Sequence, residues 1–253
     1  MFVVESGSGI PVVFIHGLGW THALWHRLIP VFAKRYRIIA ADTRGHGRSA
    51  KPPGPYTMDM LVADWLALLD ACGVQRCAVV GVSQGGMIAM LLALRHPERV
   101  SALGLLSTSC KFTDEAWSAM EERRRVLNAL GPVAAAEHVS KAIFSSDFHA
   151  KNPMLVDDFV RDRIAASTEG ISSAMMSLRG FDVSSEISEL KCPIFVMHGD
   201  ADRVISPASA QTIREALPDT QLVMVEGAGH ILPVERHDSV ERQLGQFLDS
   251  NFG

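Results

Sequence analysis

Hydrophobic residues along this chain gather in short continuous runs, separated by longer segments in which they recur at helical intervals. A run without polar alternation is typical of a strand that is covered on both faces, as in a parallel sheet. Strands that alternate with helices predict right-handed βαβ units and an α/β fold whose mostly parallel, twisted sheet has helices on both faces. The predicted strands are 2–5, 11–15, 37–41, 77–80, 100–106, 193–197 and 221–225.

The N-terminal segment leaves little room ahead of the strand that begins near Val12. We therefore expect a single short strand there instead of a hairpin, and about seven strands in the sheet. Helices are predicted from Thr21 to Ile29, closed by Pro30, and from Thr57 to Ala71; the last one should run from about Val234 to Leu248.

The alternation stops between residues 111 and 189, where the pattern is helical and more highly charged. We interpret this segment as a helical cap inserted into a core formed by residues 1–110 and 190–253. The segment follows the carboxyl end of the predicted strand 100–106, so the cap should cover a site at that edge. Its apolar residues either pack within the cap or face a substrate. The candidates for substrate contact are Trp117, Met120, Ile143, Phe144, Met175 and Met176.

Composition limits the classes of function. The chain has 253 residues, of which 47% are hydrophobic, and a net charge of −4. This balance favours a small-molecule substrate over nucleic acid or an anionic membrane as a partner. The four cysteines are widely spaced and indicate neither a zinc site nor a disulfide framework. The start of the chain has no signal-peptide pattern, and no apolar run is long enough to span a bilayer, so a cytoplasmic location is expected.

The segment Gly81-Val82-Ser83-Gln84-Gly85 lies between a predicted strand and a predicted helix. A G-x-S-x-G sequence in this context forms a sharp turn that exposes the serine hydroxyl at the end of the sheet. The same pentapeptide also occurs as an ordinary turn, so the rest of the chain must supply the partners that activate a serine.

Asp202 and His230 follow the last two predicted strands. The carboxyl ends of parallel strands share one edge of the sheet, which would bring both side chains near Ser83. A serine nucleophile needs an adjacent base, and the base needs a carboxylate that fixes its tautomer. Asp200 is a competing candidate for the acid. Such acyl-transfer chemistry requires neither a cofactor nor a metal.

Five motifs give the chain a resemblance to the α/β-hydrolase superfamily. They are His16-Gly17-Leu18-Gly19, the loop from Asp42 to Ser49, the serine turn, Gly199-Asp200-Ala201-Asp202 and Gly227-Ala228-Gly229-His230. The resemblance implies Ser83 as nucleophile, Asp202 as acid and His230 as general base. It also implies an oxyanion hole made by the backbone N–H groups of Leu18 and Gln84. A serine nucleophile separates the chain from the branches of the superfamily that use aspartate.

The cap is similar to that of the 3-oxoadipate enol-lactonase group at Gly131-Pro132, Phe144 and Phe148, Asn152-Pro153 and 165–170. The chain departs from that group in keeping His16-Gly17 and in having Ile171 where an aromatic residue is usual. The resemblance implies hydrolysis of a small carboxylic ester or lactone. A substrate with a carboxylate would need a cation, for which the candidates are Arg123, Arg124, Arg125, Arg161, Arg163 and Arg179.

Two alternatives remain open at this stage. A carbon–carbon bond hydrolase or a perhydrolase would use the same three residues. A ligand-binding protein could also be built on a hydrolase scaffold, since fold does not fix function.

Overall fold

The structure, a computed structural model, describes residues 1–162 and 166–253. Seven strands form one sheet in the order β1-β3-β2-β4-β5-β6-β7, which confirms the predicted class and the single N-terminal strand. The strands are β1 (Phe2–Ser6), β2 (Pro11–Ile15), β3 (Arg37–Asp42), β4 (Cys77–Val82), β5 (Val100–Leu106), β6 (Ile194–Gly199) and β7 (Gln221–Val225).

The sheet is parallel except at one edge, where β1 pairs with β3 in the antiparallel sense. The winding direction reverses at β2, because β3 lies on one side of it and β4 on the other. In open α/β sheets, ligands bind in the crevice at the carboxyl ends of the two strands where the order reverses. The topology therefore predicts a ligand-binding site at the loops after β2 and β4.

Helices cover both faces of the sheet, and alternate residues of β4 face each side. Val79 belongs to the apolar cluster that contains Trp65, whereas Val80 belongs to the cluster that contains Trp25 and Leu244. The helices are α1 (Ile29–Phe32), α2 (Met58–Ala71), α3 (Gln84–Arg95), α4 (Asp114–Ile143), α5 (Ser146–Lys151), α6 (Pro153–Arg161), α7 (Thr168–Met176), α8 (Ala208–Ala216), α9 (Leu232–Glu235) and α10 (His237–Phe252).

Two predicted helices differ in detail from the structure. The segment 21–29 forms only a 3₁₀ turn, His22–Trp25, and Pro30 lies in the first turn of α1 instead of closing a helix. Proline fits there because the first turn of a helix leaves its N–H groups unpaired in any case. The C-terminal helix is divided into α9 and α10 at Arg236, whose φ and ψ of −137° and 40° are not helical.

Helices α4 to α7 all lie between β5 and β6 in the chain, and we propose the boundaries 111–189 for the cap and 1–110 with 190–253 for the core. The 30-residue α4 contains a kink at Gly131, where φ is 84°. Pro132 follows directly and starts the second arm. No helix among the described residues is long and apolar enough to cross a membrane.

Candidate active site

Ser83 connects β4 to α3 in a strained conformation, with φ of 55° and ψ of −122°. The glycines on either side make this turn possible because the chain passes very close to other backbone atoms. A Cβ on Gly81 would lie 2.2 Å from the carbonyl oxygen of Gly85, and a Cβ on Gly85 would lie 2.2 Å from that of Ile15. Thr108 Oγ1 donates a 2.7 Å hydrogen bond to the Ser83 carbonyl. These contacts hold the serine at the end of the sheet in a conformation that an ordinary residue would avoid.

Leu18 and Gln84 both line the cavity that Ser83 lines, and their backbone N–H groups are the predicted oxyanion donors. Neither group donates a hydrogen bond to a residue in the described part of the chain. Gly17 lets this loop approach the serine, since a Cβ there would lie 3.2 Å from Ser83 Cβ. The two donors are therefore available to an oxygen atom that develops negative charge beside Ser83.

Two imidazoles hold the loop that carries Leu18. His16 accepts a hydrogen bond from Thr43 N–H at Nε2 (2.9 Å), so its Nδ1 carries the proton that it donates to Gly17 O (2.8 Å). His46 Nε2 accepts from Gly19 N–H at 2.9 Å. Burial, together with the neighbouring His46, lowers the pKa of His16 to about 3. His16 is therefore neutral at physiological pH, as its acceptor role requires.

Asp202 and His230 form a buried pair, with 2.7 Å between Asp202 Oδ2 and His230 Nδ1. The other oxygen, Oδ1, accepts from the backbone N–H groups of Val204 and Ile205. Burial alone would raise the pKa of Asp202, but the charge of His230 and hydrogen bonds from His198 and His230 bring it well below its usual range. Because Nδ1–H of His230 faces the carboxylate, Nε2 remains as the basic nitrogen.

Asp200, the competing acid, is exposed and accepts a hydrogen bond from Gly227 N–H at 2.7 Å. Its carboxylate thus braces the turn before His230, whereas Asp202 contacts the imidazole itself.

A cavity of about 100 Å³ joins Ser83, His230, Leu18 and Gln84 under the helices that follow β5. Three of the six predicted cap contacts line it: Met120, Ile143 and Met175. Further lining residues that the sequence reasoning missed are mainly apolar. They include Trp20, Phe112, Leu127, Phe159, Ile205 and Ile231. Ile205 and Ile231 closely follow the predicted acid and base in the sequence. This closeness could have identified them as cavity-lining residues.

The other three predicted contacts do not line this cavity. Phe144 is fully buried and stacks on Phe148, with ring centroids 5.3 Å apart. Trp117 packs under the guanidinium group of Arg179. Met176 follows Met175 on α7, and successive helical residues point about 100° apart, so only one of the two faces the cavity.

The six arginines predicted as candidate cations have different surroundings in the structure. Arg124, Arg125 and Arg161 pair with acidic residues three positions earlier on their own helices, and Arg179 lies over Trp117. Arg163 lies outside the described residues. Arg123 alone of the described candidates lines the cavity, and it forms no ion pair or hydrogen bond with a described residue. Burial lowers its pKa while Asp202 raises it. A guanidinium group remains charged in proteins.

Hydrogen bonds join the helices after β5 to the loops that carry the site. The Gln84 side chain donates through Nε2 to Ala174 O (3.0 Å) and to Ser177 Oγ (2.9 Å). The backbone N–H of His230 donates to Ile143 O at 2.7 Å. The roof of the cavity is therefore fixed to the turn at Ser83 and to the loop that carries His230.

No group of three or more histidine, cysteine, aspartate or glutamate side chains in the described ranges could hold a metal ion. The arrangement is a strained serine, a carboxylate–imidazole pair and two free backbone donors around an apolar cavity. Such an arrangement can carry out nucleophilic acyl transfer with its own residues.

The sequence profile of the family described as alpha/beta hydrolase fold matches residues 10–236. The chain belongs to the α/β-hydrolase family. Within the family it is 31% identical over 226 residues to a 3-oxoadipate enol-lactonase of Acinetobacter baylyi, covering 89% of this chain and 83% of the relative.

Solved structures of other hydrolases are also similar to this chain. The enol-lactonase from Burkholderia xenovorans LB400 superposes with a TM-score of 0.92 at 27% identity, over 98% of this chain and 95% of that one. A structure from work on carboxylesterases of Nitrososphaera gargenis superposes with a TM-score of 0.88 at 27% identity, over 99% and 94% of the two chains. These relatives confirm the prediction of a hydrolase of the lactonase or esterase type, similar to the enol-lactonase group.

Proposed function

We propose that this α/β hydrolase cleaves a small carboxylic ester or lactone through a covalent acyl-enzyme on Ser83. The observation that carries the proposal is the strained Ser83, which opens into the same apolar cavity as His230, itself paired with Asp202. The similarity to enol-lactonases and carboxylesterases supports this choice of bond.

In the proposed reaction, Ser83 Oγ attacks the carbonyl carbon while His230 Nε2 accepts the hydroxyl proton. The carbonyl oxygen becomes an oxyanion that the N–H groups of Leu18 and Gln84 stabilise. Asp202 stabilises the imidazolium, which then protonates the leaving oxygen as the ester C–O bond breaks. In a lactone that oxygen stays attached to the acyl group. Water, activated by the same imidazole, releases the acid and restores Ser83.

We further propose that the preferred ester or lactone carries a carboxylate, which Arg123 binds. A guanidinium group that has no ion-pair partner among the described residues and lies beside an apolar cavity supports this, because a partly buried charge is stabilised when a ligand of opposite charge pairs with it. A lactone of a dicarboxylic acid, the kind named for the enol-lactonase relatives, keeps one free carboxylate. Arginine can bind such a group with two parallel hydrogen bonds.

Replacement of the nucleophile tests the acyl-enzyme. Ser83→Ala should reduce hydrolysis of p-nitrophenyl acetate by about 10⁴-fold or more, because no other group replaces the attacking oxygen. It should also abolish covalent labelling by a fluorophosphonate probe. Ser118→Ala, at an exposed serine on α4, is the matched control and should behave as wild type. A folded Ser83→Ala protein that hydrolyses the ester at the wild-type rate would rule out the proposal.

A further inference from the structure

His198 lies at the carboxyl end of β6, four residues before Asp202, and its ring is fully buried. Its Nε2 atom lies 3.1 Å from Asp202 Oδ2 and 3.1 Å from the carbonyl oxygen of Ile205. Both neighbours are hydrogen-bond acceptors. The Nε2 atom must therefore carry a proton, which it shares between the two oxygens.

The other ring nitrogen, Nδ1, is buried and has no hydrogen-bond partner in the described part of the chain. A proton there would leave a buried N–H without an acceptor, so the ring is the neutral tautomer protonated at Nε2. An apolar ring in this position would leave no unpaired nitrogen. The property that an imidazole adds here is the donor that it directs at Asp202.

The consequence for Asp202 is that one oxygen serves two imidazoles. Oδ2 accepts from His230 Nδ1 at 2.7 Å and from His198 Nε2 at 3.1 Å, while Oδ1 is held by backbone N–H groups. A second donor fixes the carboxylate and draws part of its negative charge away from His230. A carboxylate with less available charge stabilises the protonated form of His230 less.

The ionisable groups around this pair arise from several elements. His230 lies in the loop after β7. Arg123, on α4, has a Coulombic interaction with Asp202. On the neighbouring strand β7 the residue paired with His198 is Met224, which carries no charge. The carboxylate of Asp200 is bound to Gly227 N–H. The buried carboxylate of Glu235, on α9, lies against Gly229 in the His230 loop and accepts a hydrogen bond from Ser145 N–H. His198 is thus the neutral donor among the groups that set the charge environment of Asp202.

We propose that His198 is a positioning residue of the active site, which anchors the Asp202 carboxylate and limits the basicity of His230. The inference rests on the proposed roles of Ser83, Asp202 and His230.

The test compares two replacements of His198 that differ in one hydrogen bond. His198→Gln keeps a donor, because the glutamine Nε2 lies near the position of the imidazole Nε2. His198→Phe keeps the ring shape without the donor. For each variant, kcat/KM for p-nitrophenyl acetate is measured from about pH 4.5 to about pH 9, where its acid limb reports the free-enzyme pKa of the base.

The acid limb of His198→Phe should move to higher pH by about half to one unit, and its plateau should fall by about 10-fold. His198→Gln should keep a midpoint near the wild-type value and a plateau within about 3-fold of it. If His198→Phe does not fold, His198→Asn replaces it. Its shorter side chain places the amide near Nδ1, out of reach of Asp202, and it should show the same shift.

An acid limb that stays at the wild-type pH in His198→Phe or His198→Asn, with or without a lower plateau, would overturn the inference. Fluorophosphonate labelling of Ser83 in the wild-type enzyme separates the two proposals. If Ser83 is labelled and the limb does not move, only the role of His198 fails. If Ser83 is not labelled and Ser83→Ala is active, the acyl-enzyme proposal fails instead.

Discussion

At the scale of single residues, the site contains groups whose backbone conformation or charge environment is unfavourable in itself. Ser83 and Ser107 are the non-glycine residues with positive φ in the described ranges. They follow the neighbouring strands β4 and β5, so the strain lies at the edge where the chemistry is proposed. Arg123 shows the same feature in its charge, because its guanidinium group lies beside apolar side chains and pairs with no residue of the described ranges.

Arg123→Met tests the proposed carboxylate partner. The substrates are p-nitrophenyl monoesters of succinic, glutaric and adipic acids, compared with uncharged p-nitrophenyl esters of matching length. We expect kcat/KM for the best acidic ester to fall by about 30-fold, about 2 kcal/mol, while the uncharged esters change by less than about 3-fold. Arg125→Met, at an exposed arginine paired with Glu122, should leave both series unchanged. An equal loss for acidic and uncharged esters would contradict the assignment.

At the scale of secondary-structure elements, the site depends on the close approach of α3 to β2. The helix begins at Gln84, directly after the serine, and its first turn touches the end of the strand through Gly85. This contact holds the start of α3 against the end of β2, from which the loop with Leu18 continues. We propose that this packing brings the two oxyanion donors, the N–H groups of Leu18 and Gln84, together.

Gly85→Ala should disrupt this packing. The new Cβ would lie 2.2 Å from the Ile15 carbonyl oxygen, a backbone atom that cannot turn away. We expect a loss of about 3 kcal/mol or more in the free energy of unfolding, measured by urea denaturation. Gly245→Ala is the control in α10, where the nearest atom is the end of the Arg35 side chain at 3.5 Å. It should be neutral or slightly stabilising, because alanine favours helix. Equal stabilities of the two variants would show that the contact at Gly85 is not constraining.

At the scale of the whole molecule, two regions of the chain contribute side chains to the cavity. The loops at the carboxyl edge of the sheet carry Ser83, Asp202 and His230, and the helices between β5 and β6 supply Met120, Ile143 and Met175 to the cavity. The Gln84 side chain and the His230 backbone bond the two regions together. We therefore propose that the helical region selects the substrate while the sheet loops perform the chemistry.

Neighbouring methionines on α7 provide the test of this division. Met175→Ala enlarges the cavity and should raise kcat/KM for p-nitrophenyl octanoate relative to the acetate by about 5-fold, which corresponds to about 1 kcal/mol of differential binding. Met176→Ala, one position along the helix and away from the cavity, should leave that ratio unchanged. Both variants should still be labelled at Ser83 by a fluorophosphonate. The same ratio in both variants would mean that the cavity wall does not set the preference.

Continuous apolar runs and strand-end motifs determined the α/β class, the seven strands and the candidate residues Ser83, Asp202 and His230. Such features are local, because a strand buried on both faces must be apolar along its length. The helix predicted over 21–29 was wrong, although the apolar positions there have helical spacing. Proline favours the first turn of a helix, and the helix that contains Pro30, α1, begins only at Ile29.

Only the tertiary structure decided which side chains of the proposed cap line the cavity beside Ser83. Met175 and Met176 are indistinguishable by residue type, and Arg123, Arg124 and Arg125 are consecutive arginines. Their roles differ because a helix turns through about 100° per residue and each side chain meets a different neighbour. The same holds for His198, whose sequence position beside Gly199 gives no sign of its contact with Asp202. The sequence by itself determined the local elements and the order of the reactive groups, whereas the packing between distant segments determined which groups are in contact.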